Sequence, residues 1–221
     1  MRALTSARVG AHSGQGKSLV ILVHGYGADG QDLLGLADPL APHLPDTVFL
    51  APNAPNRCSN NPLGFEWFPI PWLDGSTEDE AKAGMQAALE DLNGFIDAAI
   101  RDEGVGAENT VLLGFSQGTM MSLHIGPRRS PCLAGIVGFS GRLLAPERLA
   151  AEVVSRPPVL LVHGDRDDMV PPASMPQAAD ALSAAGFEVK THVSPGMGHG
   201  IAPDGLGVAM GFLREKLYTT P

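Results

Sequence analysis

The sequence predicts an α/β fold built on a mostly parallel sheet flanked by helices. Short apolar, β-branched runs alternate with longer segments of helical periodicity, the pattern of a parallel sheet. Most of the short runs are apolar at every position, as strands buried on both faces are. No internal repeat and no linker-like stretch divides the chain, so residues 1–221 read as one domain.

The elements follow in order. Leu19–Val23 and Val48–Leu50 read as strands, with a helix near Gln31–Ala41 between them. The clearest helix lies near Thr77–Ile100, where Met85, Leu89, Leu92, Ile96 and Ile100 recur at three- and four-residue steps on one face. Thr77 followed by Glu80 is a capping box at its start. Val111–Leu113, Gly135–Phe139, Val159–Val162 and Glu188–Val193 read as further strands. Helices are expected near Gln117–Ile125, Pro172–Ala185 and Leu206–Leu217. One segment, 51–76, breaks the alternation. It carries Pro52, Pro55, Pro62, Pro69 and Pro71 among Phe65, Trp67, Phe68 and Trp72. Long irregular segments inside compact domains are usually functional, so 51–76 is expected to be an irregular loop lining a substrate pocket.

Composition narrows the function. Hydrophobic residues at 44% supply a core, and a net charge of −9 opposes nucleic acid and anionic membrane surfaces. Cys58 and Cys132 are too few for a disulfide framework or a zinc cluster and are expected as free thiols. Met1–Thr5 begins no signal-like apolar run, and no stretch approaches the roughly 20 apolar residues of a membrane helix. The expectation is a cytoplasmic protein without stable membrane insertion.

The strongest chemical signal is Gly114-Phe115-Ser116-Gln117-Gly118, a G-x-S-x-G. The pattern alone is weak, but here it joins a predicted strand to a predicted helix. Such an elbow strains the serine backbone and lifts the hydroxyl above the sheet. A serine nucleophile needs a base, and the base an orienting acid, in the chain order Ser, Asp/Glu, His. His163-Gly164-Asp165-Arg166-Asp167-Asp168 lies at the carboxyl end of a strand, where three aspartates compete for the acid role. Gly196-Met197-Gly198-His199-Gly200 follows the next strand, and His199 is the best base by position among seven histidines. His12 and His43 read as surface residues, His124 as helix packing, and His24 and His163 as loop-bonding strand ends. His192 lies within a strand and points to one sheet face.

An oxyanion needs backbone N–H donors. One is the residue after the nucleophile, Gln117; the other is expected from the glycine-rich loop His24-Gly25-Tyr26-Gly27-Ala28-Asp29-Gly30, at Tyr26. Two look-alikes fail. Gly14-Gln15-Gly16-Lys17-Ser18 resembles the end of a phosphate loop, but Ala11 replaces its first glycine and a strand follows it. Gly138-Phe139-Ser140-Gly141 resembles a second elbow, but Arg142 stands where the glycine belongs and no helix pattern follows at once.

Taken together, HGYGADG at 24–30, GFSQG at 114–118, FSG at 139–141, HGDRDDMVP at 163–171 and GMGHG at 196–200 resemble the carboxylesterase/phospholipase family. This is the acyl-protein-thioesterase-like branch of the α/β hydrolases. The resemblance runs from about residue 16 to the C-terminal helix. It implies an α/β-hydrolase fold without a separate cap domain, so 51–76 is left as the cover of the site. It also implies a cofactor-free, metal-free serine hydrolase of ester or thioester bonds in small-molecule substrates. Ser116 matches the family nucleophile, Asp167 the acid and His199 the base, with Tyr26 and Gln117 as oxyanion donors. Trp67 and Phe68 match a WF pair beside the acyl pocket, and Met197, next to the base, is a further expected substrate contact. Members of the family often form homodimers, so a dimer is compatible with the reading. The family usually has glycine where this chain has Thr119, a departure expected to narrow the space behind the nucleophile.

Overall fold

In the computed structural model, which describes residues 2–218, the chain runs β1 (Ser6–Val9), β2 (Ser18–Val23), α1 (Gly30–Leu34), α2 (Ala37–Leu40), β3 (Thr47–Pro52), β4 (Asn56–Arg57) and β5 (Phe65–Glu66). It continues through α3 (Pro71–Asp74), α4 (Glu78–Glu103), β6 (Thr110–Phe115), α5 (Gln117–Ile125), β7 (Gly135–Phe139) and α6 (Pro146–Glu152). β8 (Val159–Gly164), α7 (Ser174–Ala184), β9 (Val189–Ser194) and α8 (Pro203–Tyr218) complete it. Seven strands make one sheet in the order β1-β3-β2-β6-β7-β8-β9. Only β1 is antiparallel to its neighbour, pairing Ser6 with Pro52 and Val9 with Phe49. This is the expected α/β architecture.

The all-apolar strands have a physical reason. In β2, Leu19, Ile21 and Val23 enter a core with Leu92 and Ile96 of α4 and Met121 of α5. Val20 and Leu22 enter the opposite core with Phe212 and Leu213 of α8. Both sheet faces are covered, so neither face is polar. A third cluster places Ile136 and Leu161 under Met175 and Leu182 of α7.

α4 begins as expected, with the reciprocal Thr77–Glu80 capping box. It runs three residues past the expected end, to Gly104, whose φ of 68° caps it in the left-handed region. The expected helix at Gln31–Ala41 is instead two short ones. Gly35 ends the first, and Pro39, lacking an N–H, is accommodated in the first turn of a new helix at Ala37. The sequence reading missed β1, because four half-exposed residues carry no periodicity, and the two-residue β4–β5 pairing. It also missed α3 and α6, each of which opens on a proline. No helix among the described residues is long and apolar enough to cross a membrane. Both cysteines are free, Cys58 buried and Cys132 exposed.

The parallel strands all end on the same edge. The carboxyl ends of β2, β6, β7, β8 and β9 therefore deliver the glycine-rich loop, Ser116, Arg142, Asp167 and His199 to one side of the molecule.

Candidate active site

Ser116 occupies the single residue between β6 and α5, at φ 53°. A non-glycine residue there is strained by about 1–3 kcal/mol and must be held by its surroundings. The Ser116 amide donates to the Phe139 carbonyl at 2.8 Å, and the Ser116 carbonyl accepts from the Met120 amide at 3.2 Å. The turn is tight enough that a Cβ on Gly118 would meet the Val23 carbonyl oxygen at 1.8 Å, and one on Gly114 the 118–119 backbone at 2.5 Å. Those contacts are why the serine is flanked by glycines.

The Ser116 hydroxyl lies 3.0 Å from His199 Nε2, and His199 Nδ1 lies 2.8 Å from Asp167 Oδ2. A carboxylate only accepts, so Nδ1 carries the proton and the Nε2 lone pair faces the hydroxyl. The Phe115 ring, 5.0 Å from the imidazole centre, packs beside it. Asp167 Oδ1 accepts from the amides of Met169 at 2.9 Å and Val170 at 2.8 Å. Burial alone would push the Asp167 carboxyl up, but His199 and the two amides outweigh it and hold it below the usual carboxylate range. His163 Nε2 donates to the Val170 carbonyl at 2.9 Å and lies 3.2 Å from Asp167 Oδ2, tightening the same loop.

Geometry separates the three aspartates that the sequence left in competition. Asp165 accepts from the Gly196 amide at 2.6 Å and so fastens the His199 loop, while Asp168 is exposed. None of the other histidines meets Ser116. His24 Nδ1 donates to the Gly25 carbonyl at 2.7 Å, its Nε2 accepts from the Ala54 amide at 2.9 Å, and burial lowers its pKa. His192 pairs with Asp204, His124 is pushed down to about 4 by burial and the nearby Arg128 charge, and His12 and His43 are exposed.

A cavity of about 450 Å³ opens over the hydroxyl. Ser116, His199, Tyr26 and Gln117 all line it. Its apolar wall includes Phe68, Ile70 and Leu73 from the 51–76 segment, Met85 of α4 and Met120 of α5. Gln117 ties wall to elbow: its Oε1 accepts from the Trp67 amide at 2.9 Å and its Nε2 donates to the Phe68 carbonyl at 2.7 Å. The Tyr26 hydroxyl donates to Asp74 at 3.3 Å, closing the other end of that segment.

Two expected substrate contacts stand elsewhere. Trp67 is fully buried, donates through Nε1 to the His24 carbonyl at 2.9 Å, and lies outside the cavity. Trp67 and Phe68 both pack into the core beneath the segment, but only Phe68 also reaches the cavity wall. Met197 is also outside the cavity; its carbonyl accepts from the Arg166 amide at 2.9 Å and its side chain lies over Gly200. The methionines and Leu144 that do line the wall were not found from sequence, because they come from separate elements and share no motif.

Thr119 lies outside the cavity wall, packed behind the elbow against Gly138 and Gly141. Its hydroxyl points away from the cavity, 2.8 Å from both the Gly114 and the Phe139 carbonyls, and its methyl fills the space left by the two glycines. Thr119→Gly is expected to lower stability by about 1–2 kcal/mol through the lost bond and the added chain freedom. Ester turnover should stay within about threefold; thermal melting and a pH 7 rate assay check both. The look-alike at Ser140 shares a positive φ, 47°, but the chain then loops to Pro146 instead of entering a helix, so no elbow forms there.

A family model described as Phospholipase/Carboxylesterase matches residues 4–217. Acyl-protein thioesterase 1 of Neurospora crassa is 32% identical over 213 residues, covering 90% of this chain and 86% of that protein. Esterase YpfH of Escherichia coli is 30% identical over 206 residues, 93% of this chain and 84% of that one. The crystal structure of esterase PE8 superposes with a TM-score of 0.93 at 45% identity, covering 98% of this chain and 100% of the other.

Proposed function

Because this chain belongs to the phospholipase/carboxylesterase family, we propose that it is a serine carboxylesterase of short- to medium-chain acyl esters, acting through an acyl-enzyme. The observation that carries the reading is the hydrogen-bonded chain Ser116–His199–Asp167 opening onto an apolar cavity of about 450 Å³. That volume falls in the range of small-ligand sites.

His199 Nε2 takes the Ser116 proton as the oxygen attacks the ester carbonyl. Asp167 holds the imidazole tautomer and stabilises the imidazolium. The amides of Tyr26 and Gln117 donate to the oxyanion, each by analogy lowering the barrier by about 2.7–4 kcal/mol. His199 then gives its proton to the leaving alcohol. Water repeats the sequence on the acyl-enzyme, with His199 taking its proton, and releases the acid and the free hydroxyl. The 51–76 segment serves as cover for the site, and the two free thiols fit a cytoplasmic location.

The second reading is an acyl-protein thioesterase or lysophospholipase acting on long chains; the similarity to acyl-protein thioesterase 1 favours the thioesterase form of it. Comparing 4-nitrophenyl esters from acetate to decanoate with palmitoyl thioesters separates the two. The expected result is kcat/KM at least tenfold higher for butyrate or hexanoate esters than for the palmitoyl thioester. A maximum at palmitoyl overturns the chain-length assignment. A third reading, a non-catalytic binding protein on this fold, requires that a fluorophosphonate probe leave Ser116 unlabelled.

A further inference from the structure

Eleven of the fifteen cations make an ion pair or a side-chain hydrogen bond; Lys82, Arg142, Arg166 and Arg214 make none among the described residues. In a chain of net charge −9 this is not for want of carboxylates. Two of the four, Lys82 and Arg142, line the catalytic cavity. Lys82 shares that border with Glu78, one turn away on α4, so their charges offset each other. Arg142 has no such neighbour in the cavity wall.

Arg142 also belongs to a second cavity of about 410 Å³, which it shares with Leu144 as a common wall. There the lining adds the polar side chains of Ser174 and Gln177. The site therefore has two unlike ends. Phe68, Ile70, Leu73, Met85 and Met120 offer a hydrocarbon wall suited to an acyl chain. Beyond Leu144, an exposed, unpaired guanidinium leads into a polar chamber. Guanidinium is the side chain best matched to a carboxylate or phosphate, which it grips in two parallel bonds.

Resting on the esterase reading, we propose that Arg142 determines specificity by anchoring an anionic group on the alcohol side of the ester. The preferred substrates are then apolar acyl esters of an acidic alcohol or phenol. Arg142 binds the leaving group and plays no part in moving protons, so its loss should spare neutral esters.

The test compares 3-carboxyphenyl butyrate with phenyl butyrate, and with phenyl hydrogen glutarate, which carries its charge on the acyl side. Arg142→Gln is expected to lower kcat/KM for 3-carboxyphenyl butyrate about tenfold, the scale of one partly exposed charge-assisted contact. Phenyl butyrate and the glutarate ester should change less than twofold. Arg214→Gln, which removes an equal charge from a residue outside the cavity, should change none of the three. An unchanged ratio of charged to neutral ester, an equal loss on both, or a loss confined to the glutarate ester overturns the proposal. If the unaltered enzyme leaves phenyl butyrate intact, the esterase reading fails and the anion site falls with it; turnover of phenyl butyrate with an unchanged ratio sinks the anion site alone.

Discussion

Ser116→Ala is expected to lower ester turnover by roughly 10⁶-fold, the scale seen when a nucleophile acting in concert with its base is removed. The fold is expected to survive, because the elbow is held by backbone contacts, the Ser116 amide on the Phe139 carbonyl and the Met120 amide on the Ser116 carbonyl, which alanine keeps. The alanine still sits at φ 53°, so it gains nothing from relief of strain. Ser116→Gly adopts that angle freely and is expected to be more stable than Ser116→Ala by about 1 kcal/mol while equally inactive. Stability at this position then follows the backbone angle while activity follows the hydroxyl, so the two readouts separate. A rate assay, a melting curve and labelling by a fluorophosphonate check the set: the unaltered chain takes the label at Ser116 and neither variant does. A variant that keeps more than a hundredth of the original turnover overturns the nucleophile assignment.

What could be read from the sequence follows from where the constraints are local. The buried parallel strands were legible because covering both sheet faces makes every position apolar, as at Leu19–Val23. The elbow was legible because Gly114 and Gly118 are required by backbone approach within a few residues. α4 was legible because one long face and one cap repeat the same signal. The acid could not be chosen from the residues alone. Asp165, Asp167 and Asp168 share one loop, and only the three-dimensional turn that sends the Met169 and Val170 amides onto Asp167 decides among them. The direction of Trp67 and the role of Thr119 were illegible for a related reason. Each depends on partners distant in sequence, His24 for the first and Phe139 for the second. The cavity wall is the extreme case, assembled from several elements with one or two residues each.

Asp167→Asn is expected to lower kcat by about 10⁴-fold with the fold intact, the loss that follows when a triad histidine is held in the wrong tautomer. The reason lies in how an amide must sit here. Asp167 Oδ1 accepts from the amides of Met169 and Val170, so the asparagine carbonyl has to take that place, since an NH₂ group there would face two donors. Its NH₂ then turns toward His199 Nδ1, where Oδ2 stands now at 2.8 Å. A donor at that point makes Nδ1 an acceptor and moves the imidazole proton to Nε2, 3.0 Å from the Ser116 oxygen. The histidine then offers the serine an N–H instead of a lone pair and cannot take its proton. Asp165→Asn keeps an oxygen for the Gly196 amide, and Asp168→Asn touches neither the histidine nor the serine, so both should stay within about threefold of the unaltered rate. The three variants assayed side by side on 4-nitrophenyl butyrate give one collapse and two small changes. A collapse at Asp168 instead, or none at Asp167, would mean that His199 is oriented by some group other than the one that meets it in this structure.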